Sequence, residues 1–139
     1  MRKVKSVFAM SAMLLAIHAY AEPAQDEPLQ SALQDCDGDQ MSMNLCAVQR
    51  RQQANEALNQ QYEEMLATAV DDTARQRLRA AQRAGMVFRD QDCLSSVGLR
   101  EEGGSMWPLL QADCLTRHIE RRTEDLKLQA CGMEGCAQP

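Results

Sequence analysis

The stretch LNQQYEEMLATAVDDTARQRLRA, Leu58 to Ala80, decides the fold. Leu58, Tyr62, Met65, Leu66 and Ala69 recur at helical spacing in a segment without Gly or Pro, so a helix is expected from Asn44 to about Val70. Asp71-Asp72-Thr73 then breaks the apolar pattern and offers capping oxygens for a second helix starting near Thr73. So short a connection predicts antiparallel helices.

In the second helix Leu78, Ala81, Gly85 and Phe88 form one stripe expected to face a partner, with Arg75, Arg79 and Arg83 mostly turned away. Glycine on that stripe weakens the helix by about 1 kcal/mol relative to Ala and leaves space to be filled. Breakers from Ser95 to Gly104 end the helix, and Ser105 is the expected N-cap of a third, from about Met106 to Gln129, with Pro108 in its first turn. The apolar positions Ala112, Leu115, Ile119 and Leu126 leave one gap in the third stripe, at Arg122. A buried arginine there calls for an acidic or carbonyl partner, or for an edge position that lets it reach water. The expected fold is all-α, a small antiparallel three-helix bundle braced by disulfides.

Outside the helices, Arg2, Lys3 and Lys5, an apolar run from Val7 to Ile17 and Ala19-Tyr20-Ala21 read as a signal peptide over residues 1–21. The run is too short to span a bilayer. Position 22 is Glu22 and the first cysteine is Cys36, so no lipid anchor is expected. Removing 21 of the 139 residues leaves 118, the size of one domain. Residues 22–35, rich in Pro, Gln and acid, read as a flexible lead-in; 36–129 carry the helical domain and 130–139 a tail. Without residues 1–21 the chain has 12 basic and 20 acidic residues, a net of −8, which argues against nucleic acid and suits a basic partner.

Six cysteines in an exported chain predict a disulfide framework in a periplasmic or secreted product. The aspartates around Cys36 do not form a calcium loop, because Gly38 and Cys46 fall at the wrong positions. With no C-x-x-C and one histidine, His118, after residue 21, no metal or other cofactor is expected. Folding the helices back places Cys36, Cys46, Cys93 and Cys114 at one end of the bundle. Cys46 with Cys93 and Cys36 with Cys114 is the favoured pairing, because each bridge ties separate elements; Cys36 with Cys46 and Cys93 with Cys114 is the alternative. Cys131 and Cys136 enclose two glycines and can close a small terminal loop.

Asn44-x-Cys46, Ala54-x-x-x-Leu58-Asn59-x-x-Tyr62 and Ala81-Gln82-Arg83 leading into Phe88-Arg89-Asp90-x-x-Cys93 make one ordered series. Gly103-Gly104-Ser105 and Cys114, with Arg122 and Leu126 eight and twelve residues later, complete it. From about Cys36 to Leu126 the chain resembles the lysozyme inhibitor LprI family of bacterial exported proteins, once classed only as a domain of unknown function. It departs from the pattern at Asn55, where an Asp is common, and at Gly85, where a Trp is usual. Trp107, the only tryptophan, is the expected filler of the space at Gly85.

The resemblance implies a non-enzymatic inhibitor that occludes lysozyme, a muramidase whose common animal type is strongly basic. Candidate contacts are Asp35, Asp37, Asp39, Glu101, Glu102 and Glu134. Arg89, Asp90 and Arg122 read as a structural ion-pair group, and Asn59 and Tyr62 as packing and hydrogen-bonding residues. A second reading is a periplasmic interaction or immunity protein for another wall hydrolase or envelope factor. An enzyme is disfavoured, since His118 stands without a nucleophile elbow or a metal motif.

Overall fold

The computed structural model describes residues 26–132. They form α1 (Asp26–Gln34), α2 (Gln40–Thr68), α3 (Asp72–Val97), the single turn α4 (Arg100–Gly103), a 3-10 turn over Gly104–Met106, and α5 (Trp107–Ala130). No strand occurs among them. The expected all-α, disulfide-braced up–down–up arrangement is the observed one. The signal peptide expected over residues 1–21 lies outside the described residues.

Helices α2 and α5 make the main packing pair. They run parallel, as the cross-links Asn44 to Ser105 near the start and Arg50 to Asp113 about two turns further along demonstrate. The core comprises Leu58, Ile119 and Leu126, with Ala54, Tyr62, Met65, Leu78 and Leu115 packed around it. Ala47 and Ala112, both fully buried, let the two helices approach closely below that cluster. The buried hydroxyls of Thr116 and Thr123 donate to Ala112 and Ile119 carbonyls of their own helix, so they cost no unpaired polar group.

Helix α3 behaves differently. It packs antiparallel on α5 but hardly touches α2, and Cys93 is its single buried residue. Of the expected stripe only Leu78 reaches the core; Ala81, Gly85 and Phe88 are exposed. A cleft of about 550 Å³ opens between α3 and α5, walled by Gln82, Gly85, Met86, Phe88, His118 and Arg122 among others. The expectation for Trp107 is overturned. A Cβ at Gly85 would meet nothing within 4 Å, whereas the Trp107 indole packs on Gly103 and donates from Nε1 to the Gly98 carbonyl at 3.0 Å. Trp107 sits at the start of α5 against Gly98, just past the end of α3 and thirteen residues beyond Gly85.

The disulfides correct the favoured pairing. Cys36 bonds to Cys46 and Cys93 to Cys114, each with a Cα separation of 5.7 Å. Cys46 with Cys93 would require α3 against α2, and that contact is nearly absent; with Cys93 bonded to Cys114, Cys36 is left to Cys46. The expected terminal loop includes Cys136, outside the described residues. Two boundaries move as well. Residues 22–35 were expected to be flexible, yet α1 occupies Asp26–Gln34 and packs on α2 with Ala32 and Leu33 half-buried. Pro28 falls in the first turn of α1, where a missing N–H breaks no helical hydrogen bond. Helix α3 runs on through Ser95 and Ser96 to Val97 and ends at Gly98, whose φ is +79°.

Because a methyl at Gly85 meets open space on an ordinary helix, Gly85→Ala should raise stability by about 0.5 to 1 kcal/mol, read by chemical denaturation. Cys93→Ser with Cys114→Ser opens a loop of 21 residues and should lower it by about 3 kcal/mol in the same experiment.

Candidate partner-binding surface

The stapled end is built by caps and turns. Asp39 is the N-cap of α2, its carboxylate accepting from the Ser42 N–H at 2.7 Å. The turn before it closes with the Gly38 N–H on the Asp35 carbonyl, which brings Cys36 to Cys46. Asp71 caps α3 in the same way through the Ala74 N–H. Ser105, expected as the cap of the third helix, does not serve: Met106 stands at that position without a side-chain cap. The Ser105 carbonyl instead accepts from the Asn44 side chain at 3.0 Å, so the Asn44 and Gly103-Gly104-Ser105 motifs meet and fasten the loop before α5 to the start of α2. Gly104 has φ +58°, and a Cβ at Gly103 would lie 2.6 Å from Trp107 Cδ1, so both glycines are required for this turn.

The expected acidic contacts divide. Asp35, Asp37 and Glu101 are exposed, and no hydrogen bond or ion pair among the described residues engages their carboxylates. Asp39 and Glu102, also exposed, are employed locally: the Glu102 carboxylate accepts from the Leu99 N–H at 3.1 Å and closes α4. Glu134 lies outside the described residues. Hydrogen bonds from the Ser42 backbone and side chain hold the Asp39 carboxyl below its ordinary pKa.

The expected ion-pair group is only partly present. Arg89 pairs with Asp90 at 2.7 Å. Arg122 joins neither; its Nε donates to Gln82 Oε1 at 3.0 Å, and its Nη2 is buried without an acceptor among the described residues. The required partner of Arg122 is thus a carbonyl, forty residues away on α3. Gln82 therefore links α3 to the gap in the α5 stripe. Arg83 and Asn59 are exposed, while Tyr62 packs on the core. His118 hydrogen-bonds Asp92 through Nε2 at 2.8 Å and meets Phe88 edge-on, with ring centroids 5.7 Å apart.

Charge is segregated along the chain. Residues 26–70 carry eight acidic and two basic side chains, a net of −6. Residues 71–132 carry ten of each, a net of zero. Glu56, Glu63 and Glu64 are all exposed on α2, and their spacing of seven and eight puts them on the side opposite Leu58 and Tyr62. That spacing was visible in the sequence. Its importance emerges only because α3 fails to cover α2.

The family profile described as "Lysozyme inhibitor LprI" matches residues 31–126, two-thirds of the chain, including both bonded cysteine pairs of the stapled end. The chain belongs to the lysozyme inhibitor LprI family. A relative from Rhizobium meliloti (strain 1021), described only as an uncharacterized protein, is 34% identical over 129 residues, covering 83% of this chain and 88% of its own length. No solved structure matches. In this LprI protein no described helix is long and apolar enough to cross a membrane.

The Asp39 cap has a pH signature. A carboxyl with its folded pKa held down adds stability above its unfolded pKa and loses it as pH falls through the folded value. Asp39→Ala should therefore lower the melting temperature at pH 7, and the difference from wild type should shrink below about pH 4 in thermal melts followed by circular dichroism.

Proposed function

We propose that the protein is an exported, non-enzymatic inhibitor that binds lysozyme and blocks its access to the cell wall. Family membership supplies the class of target. The observation that carries the reading to a surface is the concentration of net charge on residues 26–70, the α1–α2 half of the molecule. A basic enzyme steered by that field meets Glu56, Glu63 and Glu64 along α2, with Asp35 and Asp37 beyond its start. The Cys36–Cys46 disulfide and parallel packing on α5 make this half rigid, so little ordering entropy opposes association. Occlusion asks nothing of His118 as a catalyst.

Turbidity loss of suspended bacterial cell walls, with a common-type animal lysozyme and the oxidised protein titrated in at about 150 mM salt, tests the reading; exposed charges further apart than about 8 Å are screened there. Stoichiometric inhibition is the expected result. Reversal of Glu56, Glu63 and Glu64 to Lys should weaken it by about tenfold, against less than about twofold for Glu120→Lys with Asp125→Lys on α5. Absence of inhibition at this salt would overturn lysozyme as the target, and equal effects of the two charge-reversed proteins would overturn the surface.

A further inference from the structure

The disulfide that joins α3 to α5 has an uncommon neighbour. Cys93 Sγ, Cys114 Sγ and a ring nitrogen of His118 all lie within 4.8 Å of one another. Cys114 and His118 stand one turn apart on α5, and Cys93 faces them from α3. Sequence spacing argued against a metal because no cysteine pair is close in the chain; the fold assembles the missing ligand from the other helix. We infer that, once the Cys93–Cys114 bond is reduced, these three side chains form a zinc-binding site, so that this position holds either a disulfide or a metal.

The donor set fits the ion. Zinc takes thiolate and imidazole ligands in tetrahedral array, and Zn–S bonds of about 2.3 Å place two sulfurs about 3.8 Å apart. Side-chain rotation suffices to separate the sulfurs that far, because both sit on long helices whose Cα atoms are 5.7 Å apart at this point. Asp92 already supplies the outer support. Its carboxylate engages His118 Nε2 at 2.8 Å, which fixes the ring and leaves Nδ1 to ligate, the arrangement that carboxylates give to zinc-bound histidines. Both cysteines are buried, 0% and 2% exposed, whereas Asp92 and His118 line the open α3–α5 cleft, which gives the ion a route in and a water molecule a place as fourth ligand.

The chemistry balances with an external dithiol. Its two thiols deliver two electrons and two protons to the Cys93–Cys114 bond, giving two cysteine thiols, while the dithiol closes to its own disulfide. Zinc then displaces both thiol protons and binds the thiolates, releasing two protons to solvent. Reoxidation by a disulfide reverses the sequence and expels the ion.

Cobalt(II) is the spectroscopic probe, added to protein reduced with a phosphine and freed of excess reductant without oxygen. Reduced wild type should take up one Co²⁺ with the intense visible bands of a tetrahedral site and the near-ultraviolet thiolate band, both abolished by one equivalent of Zn²⁺. Oxidised protein should show neither. Cys36→Ser with Cys46→Ser should retain the bands, whereas Cys93→Ser with Cys114→Ser and His118→Ala should lose them. Asp92→Asn, at an exposed position, should weaken binding by about 10 to 100-fold. If reduction unfolds the protein, zinc should restore its helicity in wild type and not in His118→Ala. Bands that persist unchanged in His118→Ala or without Cys93 and Cys114, or a reduced wild type that neither binds cobalt nor refolds with zinc, would overturn the site.

Discussion

One covalent bond, Cys93 to Cys114, determines how α3 sits. A helix of 26 residues that buries a single side chain gains too little from apolar contact to hold its place alone. The bridge fixes one end of α3 to α5, and Leu78 with the Gln82–Arg122 hydrogen bond steadies the rest. Between those anchors the helix stands off. The cleft, the exposed Phe88 and the unfilled space at Gly85 all follow from that spacing. So does the exposure of α2, since the helix that would complete a compact bundle leans on α5 instead.

Two modes of stabilisation therefore coexist in one small domain. The α2–α5 pair is held by ordinary burial, with Leu58, Ile119 and Leu126 at its centre and alanines where the helices come closest. The additions at either side are held by sulfur, α1 through Cys36 to Cys46 and α3 through Cys93 to Cys114. The partition suits an exported chain, in which oxidation can substitute for apolar surface that a protein of this size lacks.

The helices were legible because they depend on local chemistry. The Asp71 cap and the periodic run from Leu58 to Ala69 needed no tertiary information, and α2 was misjudged only at its start, where Asp39 caps it earlier than the apolar pattern begins. What depended on helix placement was not legible. Leu78, Ala81, Gly85 and Phe88 make a sound apolar stripe, but a stripe does not say whether the facing helix is present along its whole length. The same ignorance favoured Cys46 with Cys93, a pairing that assumes α3 lies on α2. Arg122 needed a carbonyl partner, but nothing local pointed to Gln82. The acidic residues near Cys36 stand out in the sequence as a cluster, while Glu56, Glu63 and Glu64, spread along a helix, share a face only once the helix is formed.

The parallel course of α2 and α5 has an electrostatic consequence of its own. Both helices start at the stapled end, so the positive poles of two backbone dipoles, each equivalent to about half an elementary charge, point toward Asp35, Asp37, Asp39, Glu101 and Glu102. The acids there are partly compensated by the backbone they cap. Toward the far end the polarity reverses: α2 closes with no basic side chain in its last turn, and its negative pole adds to Glu63 and Glu64. That pole is itself partly taken up, because Arg75 of α3 donates from Nε to the Leu66 carbonyl at 3.3 Å, so the acids of α2 are tempered at both ends of the helix and least so at Glu56 along its middle.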